Sequence, residues 1–300
     1  MLKERVWTQD EGEAMHVSST EASSILTPQR GGFLAAPPYP FTHALSAYTG
    51  CAYGQTACGQ YCYARFLPNW MTAGLGTSWG LAVQVKVNAP AVLEQTLRHM
   101  SPERRRRLRV FMSTTTDPYQ PVERRYQVTR RCLEIFASYP DLDLLVVQTR
   151  SPLATRDLDL LLQIPYAWLS VTIETDDMAY LRRLGGGPAL EGRWQLIRQA
   201  SRLGVKTQIT ISPCLRFTDV ETFGGQLLES GARRLVVDTV EGDGAGGERT
   251  ARTPFARQEP AWRDTQPAHI LYAYLQAHGT DHGVAVGWGA SGFCGIAPRH

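Results

Sequence analysis

Residues 109–136 read RVFMSTTTDPYQPVERRYQVTRRCLEIF, and they decide the fold by changing period halfway. RVFMST is a short apolar run of the kind that forms a buried strand, and the polar stretch through DPYQ carries turn residues. From Pro121 the spacing is helical. Val122, Tyr126, Thr129, Leu133 and Phe136 recur at i, i+4, i+7, i+11 and i+14, one apolar stripe over 121–138 flanked by arginines. Pro121 suits the first helical turn, where its missing N–H costs nothing. A strand followed by an outer helix is one βα unit.

The same alternation continues on both sides. Strands are predicted at 43–49, 109–114, 143–149, 168–174, 205–212 and 233–239, with further helices near 90–100, 155–163, 191–203 and 219–230. Six parallel strands with outer helices make a partial TIM-type (β/α)6 barrel, an α/β fold whose chemistry sits in the loops at the C-terminal strand ends. Residues 1–41 are read as an irregular N-terminal leader and 42–240 as the barrel. Residues 241–300 form a C-terminal extension packed on the barrel: the Gly-rich loop EGDGAGGERTARTPFARQEP, a helix near 262–278 and a tail without assigned structure.

A 43% hydrophobic share over 300 residues excludes a disordered chain. With 31 Lys and Arg against 28 Asp and Glu the net charge is only +3, so any nucleic-acid contact has to come from a local patch. The basic residues of 103–109 (Arg104, Arg105, Arg106, Arg107 and Arg109) and Arg124, Arg125, Arg130 and Arg131 read as solvated faces in preference to phosphate contacts, since no aromatics interleave the first run to stack bases. GGGP at 185–188 lacks the strand–turn–helix setting of a nucleotide fingerprint. The N-terminus MLKERVWTQDEGEAMH has no signal-peptide core and no stretch nears the ~20 apolar residues of a membrane span, so a cytoplasmic protein with no membrane contact is expected.

Six cysteines are too few for a disulfide scaffold, yet three fall in TGCAYGQTACGQYCYAR, residues 49–65. Cys51, Cys58 and Cys62 are spaced C-x6-C-x3-C in a loop directly after the first strand, with Gly54 and Gly59 to let it bend. Three thiolates with no nearby His suit an iron–sulfur cube, which normally takes four Cys and would keep one iron open. Two readings compete: zinc, whose structural sites are normally filled by four protein ligands, and three small buried side chains.

YTGCAYG and CYAR, with KVNAPAVLEQTL (86–97), STTTDPYQPVERRYQVTRRCLEIF (113–136), QTRSPLATRDLDLL (148–161) and SVTIET (170–175), resemble the radical S-adenosylmethionine (SAM) enzymes, and within them the spore photoproduct lyase-like group. The resemblance spans about residues 43–240. It departs in one place, since the family pattern is C-x3-C-x2-C. Anchoring on TGC and CYAR makes Cys51 the first ligand, Cys62 the last and Cys58 the middle one, across a longer loop.

The resemblance implies a [4Fe–4S] cluster on Cys51, Cys58 and Cys62, reductive cleavage of SAM to a 5′-deoxyadenosyl radical, and hydrogen abstraction from a substrate. It implies an external electron donor such as flavodoxin or ferredoxin. Ser113, Thr114, Thr115, Thr116 and Asp117 resemble the segment that receives the SAM amino group, and Arg150 the basic residue for its carboxylate. By strand position Thr172 and Glu174 are placed at the ribose, Ile211 and Ser212 at adenine, with Tyr63 flanking adenine. Asp117 also reads as the cap of the following helix. A hydrogen donor to the substrate radical is expected at Cys214, after the fifth strand, or at Cys294 in the tail, whereas Cys132 reads as packed. The substrate implied by the group is a nucleic-acid lesion. A peptide or small metabolite, or a non-catalytic barrel holding zinc or no metal, are the alternatives.

Overall fold

The computed structural model describes residues 5–7, 15–71, 73, 75 and 79–300. The strands, in chain order, are β1 (Arg5–Trp7), β2 (Met15–Thr20), β3 (Leu26–Pro28), β4 (His43–Leu45), β5 (Tyr48–Thr49), β6 (Ala82–Lys86), β7 (Arg109–Met112), β8 (Leu144–Thr149), β9 (Ala167–Thr172), β10 (Thr207–Ile211), β11 (Arg234–Val237) and β12 (Ala285–Trp288). The main sheet runs β12-β11-β10-β9-β8-β7-β4-β3, and every neighbouring pair except β3–β4 is parallel. Seven parallel strands in chain order, with connections that carry helices, form the expected partial TIM-type α/β fold. The sheet stays open, with β3 and β12 at its edges.

Five of the six expected strands are present as read, the first, 43–49, splits into β4 in the main sheet and β5 in the smaller one, and each of β7 to β10 buries nearly its whole length, as strands covered on both faces must. Arg109, read as part of a solvated face, opens β7 and is buried against Asp143. Helices Ala89–His99, Leu158–Gln163, Leu190–Leu203, Val220–Leu228 and Gln266–Gly279 cross between strands close to the predicted bounds. Among the described residues no helix is long and apolar enough to cross a membrane.

Three further expectations change. The leader is not irregular where it is described: β2 pairs in parallel with β6, β5 closes the other side of β6, and β3 joins the main sheet. Buried Met15 and Val17 alternate with polar residues along β2, a pattern that its Ser and Thr content hides. Residues 1–4 and 8–14 of that leader lie outside the described residues. The helix read over 121–138 is two, Glu123–Tyr126 and Val128–Ala137, broken at Gln127 with φ 49°. Glu123 causes the break, because its carboxylate accepts the N–H groups of Thr129 (3.0 Å) and Arg130 (3.2 Å) and so caps the second helix. The tail supplies β12 and helix Gly289–Phe293, and the 241–260 segment folds into two 3-10 turns and helix Pro254–Gln258. Asp243 organises that segment by accepting the N–H groups of Ala245, Gly247, Arg249 and Thr250.

Candidate active site

The C-terminal strand ends open into a cavity of about 540 Å³. Cys51, Cys58 and Cys62 line it together with the loops leaving β7, β8, β10 and β11. Gly50, with φ 80°, turns the chain out of β5, and a Cβ there would meet the Ala82 carbonyl. The 3-10 turn Ala52–Gln55 takes up the long first spacing. Helix Ala57–Tyr61 then sets Cys58 and Cys62 four residues apart on one side.

Close approach, more than bending, is what the loop glycines provide. A Cβ on Gly59 would run into the Gly54 carbonyl, and one on Gly54 into the Gly80 backbone. The 185–187 glycines, all at positive φ, lie against the same loop, where the Gly186 carbonyl accepts the Ala57 N–H at 2.9 Å. From the other side, the Ala52 N–H donates to Gln120 Oε1 (2.8 Å), Gln120 Nε2 to Thr116 Oγ1 (2.9 Å), and Thr116 Oγ1 to the Gly50 carbonyl (2.7 Å). The segment after β7 thus braces the cysteine loop.

The free thiol of Cys62 hydrogen-bonds to the Cys58 sulfur, to which the Arg150 guanidinium also donates. Together they hold Cys58 below the ordinary thiol range, although burial works the other way. Cys62, as the donor of that bond, sits well above it, and burial pushes Cys51 up to about 12. Among the described residues no three His, Cys, Asp or Glu side chains gather closely enough to ligate a single metal ion. The three thiols instead border one shared space.

Asp117 lines the cavity, but its oxygens are filled by Thr149 Oγ1 (2.7 Å) and the N–H groups of Tyr119 (2.8 Å) and Arg150 (2.9 Å). It fixes the β7 and β8 loops to each other, while burial raises its carboxyl. Ser113 has φ 72°, a left-handed conformation that serine seldom adopts, and its buried Oγ has no hydrogen-bond partner. The buried Arg150 Nε is likewise unpartnered. Such orphans in a cavity wall are what a bound ligand satisfies. Thr115 Oγ1 accepts from Asn69 Nδ2 (3.4 Å), and the Tyr63 phenol donates to the Thr114 carbonyl (2.8 Å); all four residues except Asn69 face the cavity.

Of the residues placed by strand position, Thr172 and Ser212 line the cavity. Thr172 Oγ1 shares a hydrogen bond with Thr210 Oγ1 (3.1 Å), and Ser212 Oγ donates to Asp238 Oδ2 (3.0 Å). Glu174 does not reach the lining. It accepts from Arg193 Nη1 (2.5 Å) and from the Tyr61 phenol (3.2 Å), and it positions Tyr61, which does line the cavity. Burial works to raise the Glu174 carboxyl, yet Arg193 and Arg150 outweigh it and hold it low. Ile211 is buried in the main core.

Neither expected hydrogen donor is among the lining residues. The Cys214 sulfur lies 3.7 Å from the Leu215 carbonyl, and burial pushes its thiol up to about 12. Cys294 is wholly buried in a second apolar cluster with Leu34, Phe41 and Phe111, where its S–H meets the Leu34 carbonyl at 3.4 Å. Cys132 packs in the main core, as read. Several lining residues escaped the sequence reading, among them Tyr53, Tyr61, Trp79 and one acid directly after a strand. Asp238, directly after β11, is 6% exposed, and its only sequence signal is an acid closing the apolar run LVV.

No family model matches the chain. It is 31% identical over 213 residues to the uncharacterized protein Rv2578c of Mycobacterium tuberculosis, covering 67% of this chain and 59% of that one. It is 29% identical over 186 residues to the uncharacterized protein MJ0683 of Methanocaldococcus jannaschii, covering 61% and 65%. The chain thus spans about three fifths of the length of these curated relatives. Among solved structures it is similar to spore photoproduct lyase complexed with dinucleoside spore photoproduct, with a TM-score of 0.59 and 14% identity over 90% of this chain and 81% of that one. A mutant of that lyase with bound AdoMet and dinucleoside spore photoproduct gives 0.56 and 15% over the same shares. The likeness read from the sequence to the spore photoproduct lyase-like group therefore holds in the fold, which this chain shares with the lyase.

Proposed function

We propose that this chain is a radical SAM enzyme. The observation that carries the reading is the set of three thiols, Cys51, Cys58 and Cys62, on the wall of one cavity at the C-terminal ends of the parallel strands. The donor chemistry fits a [4Fe–4S] cluster with one iron left open, and the unpartnered Ser113 Oγ and Arg150 Nε fit a polar ligand beside it. Cys51, Cys58 and Cys62 would hold such a cluster, and the chemistry it would supply there is the electron for reductive cleavage of SAM.

The chain's own residues position and exclude. Ser113, Thr115 and Thr116 offer hydroxyl acceptors to an ammonium. Arg150 offers a guanidinium fork to a carboxylate, with its backbone fixed by Asp117. Thr172, Ser212 and Tyr63 border the remainder of a bound nucleoside. Tyr53, Tyr61 and Trp79 close the cavity with rings that keep water from a reactive intermediate. The reductant is an external protein or chemical donor.

The test is anaerobic reconstitution with iron and sulfide, then EPR of the reduced protein with and without SAM and an assay for 5′-deoxyadenosine. The expected result is a cubane signal that shifts on adding SAM, with deoxyadenosine formed by the parent and lost in Cys58→Ala. Stoichiometric zinc, or no cluster, overturns the reading and leaves a binding scaffold.

A further inference from the structure

The charged residues lining the cavity are Asp117, Arg150, Asp238, Asp243 and Arg249. Three of them, Asp117, Asp243 and Arg249, are committed to the protein, and Arg150 to Cys58 and the ligand beside it. Asp117 takes three donors, Asp243 takes the backbone of its own loop, Arg150 faces Cys58, and Arg249 Nη1 donates to the Asp243 carbonyl (2.6 Å).

Asp238 is different. Its side chain accepts one side-chain bond, from Ser212, and the backbone N–H of Thr239, and among the described residues no Arg, Lys or His pairs with it. Asp243 and Glu241, both of its own sign, are near enough to work with burial in raising its carboxyl. Its carboxylate is shielded by backbone, since a Cβ on Gly242 would run into both carboxylate oxygens. A carboxylate buried without a cation is costly, and it persists where something outside the chain completes it. Tyr63, on the same cavity wall, feels the charges of Cys62, Asp238 and Asp243 and the opposing charge of Arg249. Asp238 is therefore a carboxylate on the cavity wall with no cation paired to it among the described residues.

We propose that Asp238, oriented by the hydrogen bond from Ser212 Oγ, is the substrate-recognition point of this cavity and takes an amine or polyol group that is unphosphorylated where it meets the carboxylate. The inference rests on the radical SAM reading for the identity of the neighbouring ligand. A phosphate would meet the Asp238 carboxylate, with Arg249 of the same cavity already turned to the Asp243 carbonyl, whereas an ammonium or a pair of hydroxyls supplies the donors that Asp238 lacks.

Ligand-observed NMR on the cluster-loaded protein with SAM tests this, with tris(hydroxymethyl)aminomethane as the amine and polyol probe and inorganic phosphate as the counter-probe. The parent is expected to bind the amine probe and not the phosphate. Asp238→Asn, which keeps the shape, is expected to weaken the probe at least tenfold, and Ser212→Ala to weaken it less. Circular dichroism checks that both variants fold. Equal binding of phosphate, no binding of the amine probe by the parent, or an unchanged affinity in Asp238→Asn overturns the proposal. A parallel loss of SAM affinity in Asp238→Asn overturns it as well, by assigning the carboxylate to SAM. Absence of SAM-dependent deoxyadenosine from the parent breaks the radical SAM reading separately, because the probe experiment reads Asp238 directly.

Discussion

Glu123 and Asp238 are both carboxylates sealed inside the barrel, and their surroundings differ in kind. Glu123 accepts from Arg156 Nη2 (2.8 Å), from the N–H groups of Thr129 and Arg130, and from the Tyr48 phenol. Every lone pair is used and a guanidinium balances the charge. Asp238 has one side-chain hydroxyl, one backbone N–H and two like charges nearby. A buried charge that the chain satisfies in full belongs to the architecture, here to the break between the two helices after β7. One that the chain leaves short points outward to a ligand.

The largest effect that would break this contrast concerns Glu123. Glu123→Ala strands the Arg156 guanidinium, the Tyr48 hydroxyl and two amides of a helix start. Breaking a buried pair from one side costs ~3–5 kcal/mol. Urea unfolding of the parent and the variant measures it. A loss under ~1 kcal/mol would mean that Asp157, the other partner of Arg156, carries the site alone, and that Glu123 is not the anchor described.

Asp238 is expected to show the opposite sign. Burial raises its folded carboxyl to about 6, against an ordinary carboxylate range near 4 in the unfolded chain. Between those values the folded state holds a proton that the unfolded state releases, so stability falls as pH rises through the window from about 4 to about 6 and levels off above it. The gap between the folded and unfolded values corresponds to ~2–3 kcal/mol at pH 7. Asp238→Asn carries no such charge, so the variant is expected to be the more stable protein above pH 6, with the difference vanishing toward pH 4. Melting curves across pH 4 to 8 check this. Parallel curves for parent and variant would show that Asp238 already has a partner, and the contrast with Glu123 would fail.

Much of this architecture was legible from period alone. The apolar runs of β7 to β11 and the stripes of their helices are written plainly, because strands covered on both faces admit little else. Legibility failed where two signals overlap. The apolar stripe from Val122 to Phe136 keeps its helical phase across Gln127, so only the capping role of Glu123 reveals the break. In β2 the Ser and Thr residues that face away from the core look like loop composition. At the site, the bunching of Cys51, Cys58 and Cys62 was visible, since thiols rarely gather by chance. Strand position put Glu174 at the right end of the barrel, but it could not foresee that Arg193 would claim it one layer behind the cavity. Asp238 has the converse history, an acid that looks like a strand terminus until three dimensions show it without a cation.

The smallest effect is expected at Cys294, which tests whether the rule of satisfied and unsatisfied groups extends to thiols. Its sulfur is enclosed by Leu34, Phe41, Phe111 and Phe293, its S–H has the Leu34 carbonyl, and it does not border the cavity. By the same logic as Glu123 it is structure. Cys294→Ala removes one buried sulfur and is expected to cost ~1 kcal/mol, the scale of a small core truncation. Iron content and 5′-deoxyadenosine yield are expected to match the parent, in contrast to Cys58→Ala, where both collapse. Iron and deoxyadenosine assays on the two variants side by side decide the matter. A fall in deoxyadenosine yield with full iron in Cys294→Ala would put this thiol back into the chemistry, and would require that it becomes reachable past Leu34, Phe111 and Phe293, the members of its cluster that line the cavity.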